Sequence, residues 1–127
     1  MYTRKIQEDP DCGIYLAMRV LGGKWKCCIL DAISRGISRP SEIARYITEA
    51  STRVIEMQLA ELLFYRMIEK CAEDVYPKRT EYKLTILGET LLPILSKIDQ
   101  WGIEHAELIK DRISELQEDE LEGQYPI

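Results

Sequence analysis

With 127 residues the chain has room for one domain, and its 46% hydrophobic and 31% charged residues exclude a disordered tail protein. No apolar run approaches the ~20 residues of a membrane-spanning helix, and the first twenty residues lack a signal peptide's order of basic, apolar and small regions, so a cytoplasmic protein without a membrane partner is expected. The net charge of −5 excludes less than it suggests: residues 104–127 carry a balance of −6 and the first 103 carry +1, which leaves the body free to hold a basic face.

In chain order, residues 1–10 are polar. Asp9-Pro10 or Asp11 can cap a short helix with apolar positions Ile14, Leu16, Ala17, Val20 and Leu21, which Gly22-Gly23 ends. A second helix is predicted over about Lys24–Ser34, with Trp25, Cys28, Ile29, Ala32 and Ile33 at the three- and four-residue spacing of a buried stripe. Gly36 closes it. Arg39-Pro40-Ser41-Glu42 opens a third helix, because the N–H that proline lacks would go unpaired in a first turn anyway. Ile43, Ala44 and Ile47 then face inward. After Thr48-Glu49-Ala50, Ser51 is a good N-cap for a fourth helix running to about Arg66.

Two strand-like runs follow, Ile68–Glu73 and Thr80–Leu84, joined by a loop containing Tyr76-Pro77-Lys78-Arg79. Thr85 is placed to cap one long helix through Leu91, Leu92, Leu95, Ile98, Trp101 and Ile103, kinked at Pro93. An amphipathic stretch with Leu108, Ile109, Ile113 and Leu116 ends the pattern. The order predicts a mainly α fold with a small β-hairpin wing. This is a winged helix-turn-helix, with the helix-turn-helix at about 39–66, the wing at about 68–84 and further helices at about 86–118.

The four cysteines do not read as a disulfide framework, since Cys27 and Cys28 are neighbours. With no C-x-x-C and a single histidine, His105, no metal site and no cofactor is expected. Cys27, Cys28 and Cys71 sit in patterns that read as core packing. An enzyme using Cys12 as nucleophile would need a suitably spaced histidine, and no phosphate-binding glycine loop is present, so no catalytic residue is assigned.

The helix from Ser51 is the candidate DNA reader. Val54, Ile55, Leu59 and Leu62 belong on its buried side, leaving Thr52, Arg53, Glu56, Met57 and Ala60 outward. Arg53 suits guanine and Glu56 suits a cytosine amino group, although Glu56 also repels phosphate. Lys78 and Arg79 on the stiffened turn suit phosphates or a minor groove. Arg39, Ser41 and Arg45, on and beside the preceding helix, complete the expected contacts to double-stranded DNA. The same Glu56, Met57 and Ala60, with Leu63 and Phe64, equally describe a winged helix that has given up DNA and contacts proteins.

These segments resemble the HxlR family of winged-helix transcriptional regulators. The matching pieces are Gly22-Gly23-Lys24-Trp25, Ser41-Glu42-Ile43, Ser51-x-Arg53-Val54-Ile55-x-x-x-Leu59-x-Glu61-Leu62, Pro77-x-Arg79-x-Glu81-Tyr82-x-Leu84-Thr85-x-x-Gly88 and Trp101-Gly102, in family order over residues 12–102. The resemblance implies a homodimer paired through terminal helices, with Ile14, Leu95, Ile98, Trp101, Leu108, Ile109 and Ile113 at the interface. It also implies a role for Cys12, which matches a cysteine that some members use to sense oxidants or electrophiles. Helix N-termini favour the reactive thiolate, while Asp9 and Asp11 act the other way. No residue pattern specifies an effector. One departure concerns structure: where the family leaves the reading helix through a glycine, this chain has Tyr65-Arg66, with no glycine for a left-handed cap.

Overall fold

A computed structural model describes residues 11–72 and 80–121. The chain divides into two compact units, one extending to Leu92 and one from Pro93 onward.

In the first unit, α1 (Gly13–Leu21), α2 (Lys26–Ser34), α3 (Pro40–Tyr46) and α4 (Thr52–Phe64) precede an antiparallel hairpin of β1 (Ile68–Ala72) and β2 (Thr80–Leu84), and a one-turn α5 (Ile86–Glu89) follows. The core forms where α2 meets α3, α4 and β2. Ile29 and Leu30 of α2, Ile43 of α3, and Ile55, Leu59 and Leu62 of α4 are almost wholly buried, and Ile68 closes the cluster at the start of β1. Burying such side chains contributes about 1.5–3 kcal/mol each, and it is this stripe that holds three short helices together.

Sequence caps set the boundaries of α3 and α4. Pro40 occupies the first turn of α3, and the Ser51 hydroxyl accepts the Val54 N–H at 3.2 Å at the head of α4. At the other end of α2, Gly36 has φ +90°. Its N–H donates to Ile33 O at 3.1 Å and the Ile37 N–H to Ala32 O at 3.0 Å, the paired bonds of a Schellman cap.

The end of α4 departs from expectation. Arg66, not a glycine, takes the left-handed conformation at φ 61°. The same two bonds form, Arg66 N–H to Leu63 O and Met67 N–H to Leu62 O, both at 3.0 Å. The chain therefore makes the left-handed cap without glycine, because burial of Leu62, Met67 and Ile68 around it dictates the turn. A side chain at positive φ costs roughly 1–2 kcal/mol, partly offset by the greater freedom glycine has when unfolded. Arg66→Gly is accordingly expected to raise stability by about 0.5–1 kcal/mol, read as a higher urea midpoint at unchanged slope.

Four further expectations are corrected. The N-cap of α1 is Cys12, with no side-chain cap bond, rather than Asp11; Asp9 and Pro10 lie outside the described residues. Trp25 is the N-cap residue of α2, and the buried face of that helix includes Lys26 and Leu30. Cys28 is exposed, not in the core, since the stripe through residues 26, 29, 30 and 33 points it outward. The single kinked helix from Thr85 is instead two. Thr85 Oγ1 accepts the Gly88 N–H at 3.0 Å and caps α5, which ends in a turn at Thr90–Leu91. Helix α6 then starts afresh at Leu92, which places Pro93 in a first turn where it breaks no hydrogen bond.

The hairpin pairs in register from Ile68↔Leu84 to Ala72↔Thr80. The Tyr82 N–H donates to Ser38 O at 2.8 Å, which fastens the segment before α3 alongside β2. In the second unit, α6 (Leu92–Glu104) and α7 (Ala106–Leu121) meet at His105, whose ring stacks on Trp101 at 4.7 Å and whose Nδ1 lies 2.8 Å from Trp101 O.

Candidate nucleic-acid interface

The spacing of α4 separates two faces. Ile55, Leu59 and Leu62 are buried, while Thr52, Arg53, Glu56, Met57 and Ala60 are exposed. Sequence reasoning missed two polar residues on the side facing α2. Gln58 is buried and its Oε1 accepts the Trp25 N–H at 3.0 Å, which satisfies a donor at the head of α2. Lys26, 2% exposed, reaches Glu61 of α4 with Nζ 2.5 Å from Oε2. The helical spacing that puts residues 26, 29, 30 and 33, or 55, 58, 59 and 62, on one face was the signal that locates both. Together they latch α4 to the start of α2.

Ser41 and Arg45 are exposed on α3, the helix packed against α4. Ser51, Thr52, Arg53, Glu56 and Met57 share the first half of α4, where a reading helix presents side chains to base edges. Arg39 is half-buried and engaged: its Nε and Nη2 each lie 3.2 Å from Glu81 Oε1, and Nε lies 3.7 Å from Glu42 Oε1. It ties β2 to the head of α3, so a phosphate would have to share donors already in use. Lys78 and Arg79 lie outside the described residues.

Electrostatics tie the wing to this helix. Burial, and then the negative charge of Glu56, push the Tyr82 hydroxyl above its ordinary pKa. Across the hairpin, Lys83 Nζ lies 3.2 Å from Glu69, its register partner, and hydrogen bonding to that carboxylate raises the ammonium's pKa. Burial, and then the neighbouring Cys28, raise the Cys27 thiol and hold it protonated. Cys12 is half-buried at the head of α1.

Of the residues expected at a dimer interface, Ile14, Ile98, Trp101, Leu108 and Ile113 are exposed, and Ile14 is 78% so. Ile109 is half-buried, whereas Leu95 is buried within the chain and has little surface left for a partner. Among the described residues no cluster of His, Cys, Asp and Glu could hold a metal, and no helix is long and apolar enough to cross a membrane.

The chain as a whole is similar to known proteins. The HTH-type transcriptional regulator YkvN of Bacillus subtilis (strain 168) is 35% identical over 96 residues, which span 76% of this chain and 81% of YkvN. YtcD, an HTH-type regulator of the same bacterium, is 33% identical over 116 residues, or 91% of this chain and 92% of YtcD. The crystal structure of YtcD matches with a TM-score of 0.70 at 30% identity, over 76% of this chain and 98% of that one. The redox regulator HypR in its reduced form matches with a TM-score of 0.72 at 27% identity, over 79% and 99%. These relatives are regulators, not enzymes. The profile of the HxlR-like helix-turn-helix family matches residues 20–119, and the chain belongs to that family of transcriptional regulators.

Proposed function

We propose that the chain acts as a homodimer on specific double-stranded DNA sequences. The exposed face of α4 enters the major groove, and Lys78 and Arg79 reach the backbone or minor groove. The observation that carries this reading is the division of α4: its inner face is consumed by the core while Thr52, Arg53, Glu56 and Met57 stay exposed beside a Ser51-capped N-terminus. The helix-turn-helix then spans about residues 39–66, the wing about 68–84 and the dimerisation helices about 86–118.

Dimerisation accounts for apolar surface that a soluble monomer rarely displays. Ile98, Trp101, Ile103, Leu108 and Ile113 of the second unit are all exposed, as is Ile14 of α1. Pairing also doubles the phosphate contacts on half-sites about one helical turn apart.

Fragments of the source genome selected by the purified chain supply the probe. A dimer by sedimentation, and affinity falling steeply as salt rises, are the expected results. Arg53→Ala should weaken specific binding by roughly 1–3 kcal/mol, about five-fold or more, with a smaller effect on non-specific DNA. If no fragment is retained at low salt, the exposed Met57, Ala60 and Phe64 would instead mark a protein-contact face.

The likeness to HypR, a redox regulator, and the position of Cys12 at the head of α1 support oxidant-responsive regulation through this thiol. A mild oxidant is expected to shift DNA affinity in the native chain and leave Cys12→Ser unaffected. An unchanged binding curve with Cys12 shown by mass spectrometry to be modified removes the switch.

A further inference from the structure

An open groove of about 770 Å³ lies between α1 and the C-terminal half of α4, within the first unit. That volume falls in the range of small-molecule sites, roughly 300–1,000 Å³. Its walls combine two kinds of chemistry. Tyr15, Phe64 and Tyr65 supply rings; those of Phe64 and Tyr65 meet edge to face at 5.3 Å, and Phe64 is left 80% exposed. Lys26 and Arg19 supply positive charge against the single carboxylate of Glu61.

Lys26 decides what such a groove would hold. Its ammonium is almost fully buried, carries three N–H donors and is paired with Glu61, whose own side chain is 49% exposed. A carboxylate entering the groove can therefore join or displace Glu61 at a pre-positioned cation, where charge-assisted bonds are strong. Arg19, exposed in the last turn of α1, adds a second positive group at the same groove. The rings favour a flat apolar body, since covering Phe64 removes exposed apolar surface from water.

We propose that this groove is a binding site for a small organic anion with an aromatic body, held at Lys26 and Arg19 and packed on Phe64 and Tyr65. Met57 and Ala60, on the outward face of α4, line the same groove, so an occupant would sit against the reading helix. Its standing as an effector site rests on the DNA reading proposed above; the binding itself does not.

The test uses the full chain without DNA, so its outcome is separate from that of the DNA experiment. The ¹⁵N-labelled protein is titrated with benzoate and, in parallel, with neutral benzamide of the same shape. Benzoate should give saturable shifts at the amides of Tyr15, Lys26 and Phe64, with a Kd on the order of 1 mM for so few atoms. Benzamide should bind about ten-fold more weakly, and Lys26→Met should reduce benzoate affinity by about as much. Ala60→Trp changes only an exposed position and fills the groove, so it should abolish the shifts independently of the Lys26 variant. Absence of saturable shifts, equal binding of benzoate and benzamide, or benzoate shifts unchanged in Ala60→Trp would each overturn the proposal. So would amide protection showing that a second copy already covers Tyr15 and Phe64.

Discussion

Gly88→Ala is expected to lower the melting temperature by about 10 °C at fixed protein concentration, a loss of about 3 kcal/mol. A methyl group built on Gly88 would sit 2.0 Å from the Met67 carbonyl oxygen and 3.0 Å from its carbon. Neither atom can move cheaply. The Met67 carbonyl accepts the Thr85 N–H at 3.1 Å and the Thr85 hydroxyl at 3.2 Å, and the same hydroxyl donates to Arg66 O at 2.7 Å. Thr85 Oγ1 also accepts the Gly88 N–H, so the clash falls on the knot that joins the end of α4, the start of β1 and the cap of α5. Overpacking in a rigid site costs typically 1–3 kcal/mol, and a clash with a hydrogen-bonded backbone carbonyl puts this position at the upper end. Thermal unfolding by circular dichroism measures it. A melting temperature within about 2 °C of the parent would mean that α5 swings away freely and the knot is weak.

The second large effect is an asymmetry. Glu61→Ala is expected to cost about 2 kcal/mol, because it strands the buried Lys26 ammonium without its counter-charge. The figure lies below the 3–5 kcal/mol typical of a fully buried pair because Glu61 is half-exposed and the groove admits water. Lys26→Met removes the charge and keeps the apolar stem, so it should change stability by less than about 1 kcal/mol. Urea denaturation of both variants and the double mutant reads this directly. Restoration of Glu61→Ala by Lys26→Met would show that the stranded charge, not lost packing, carries the cost. Equal destabilisation by the two single changes would contradict it.

Much of the fold was legible because local chemistry and burial agree. Pro40 and Ser51 set the starts of α3 and α4, Gly36 ends α2, and two short strand-like runs at about Ile68 and Thr80–Leu84 mark the hairpin. The misses occur where tertiary packing overrules local preference. Arg66 adopts a glycine's conformation because the buried residues on both sides require the turn. Pro93 fits an interior kink and a first turn equally well, and only the break at Thr90–Leu91 decides between them. Lys26 and Gln58 read as surface residues by type, yet their spacing places them inward, where each finds a partner. Of the candidate site, the outward face of α4 was legible from periodicity, whereas the engagement of Arg39 with Glu81 depends on β2 lying beside α3, which spacing does not reveal.

The Tyr82–Ser38 hydrogen bond and the Arg39–Glu81 pair stitch the second wing strand to the entrance of α3. The interval between the base of the wing and the entrance of α3 is thus a fixed gauge. On the DNA reading proposed here, docking then incurs no ordering entropy for that spacing. A duplex whose grooves deviate from the gauge has to deform to fit, so part of the selectivity would come from the width and stiffness of DNA at base pairs that no side chain touches.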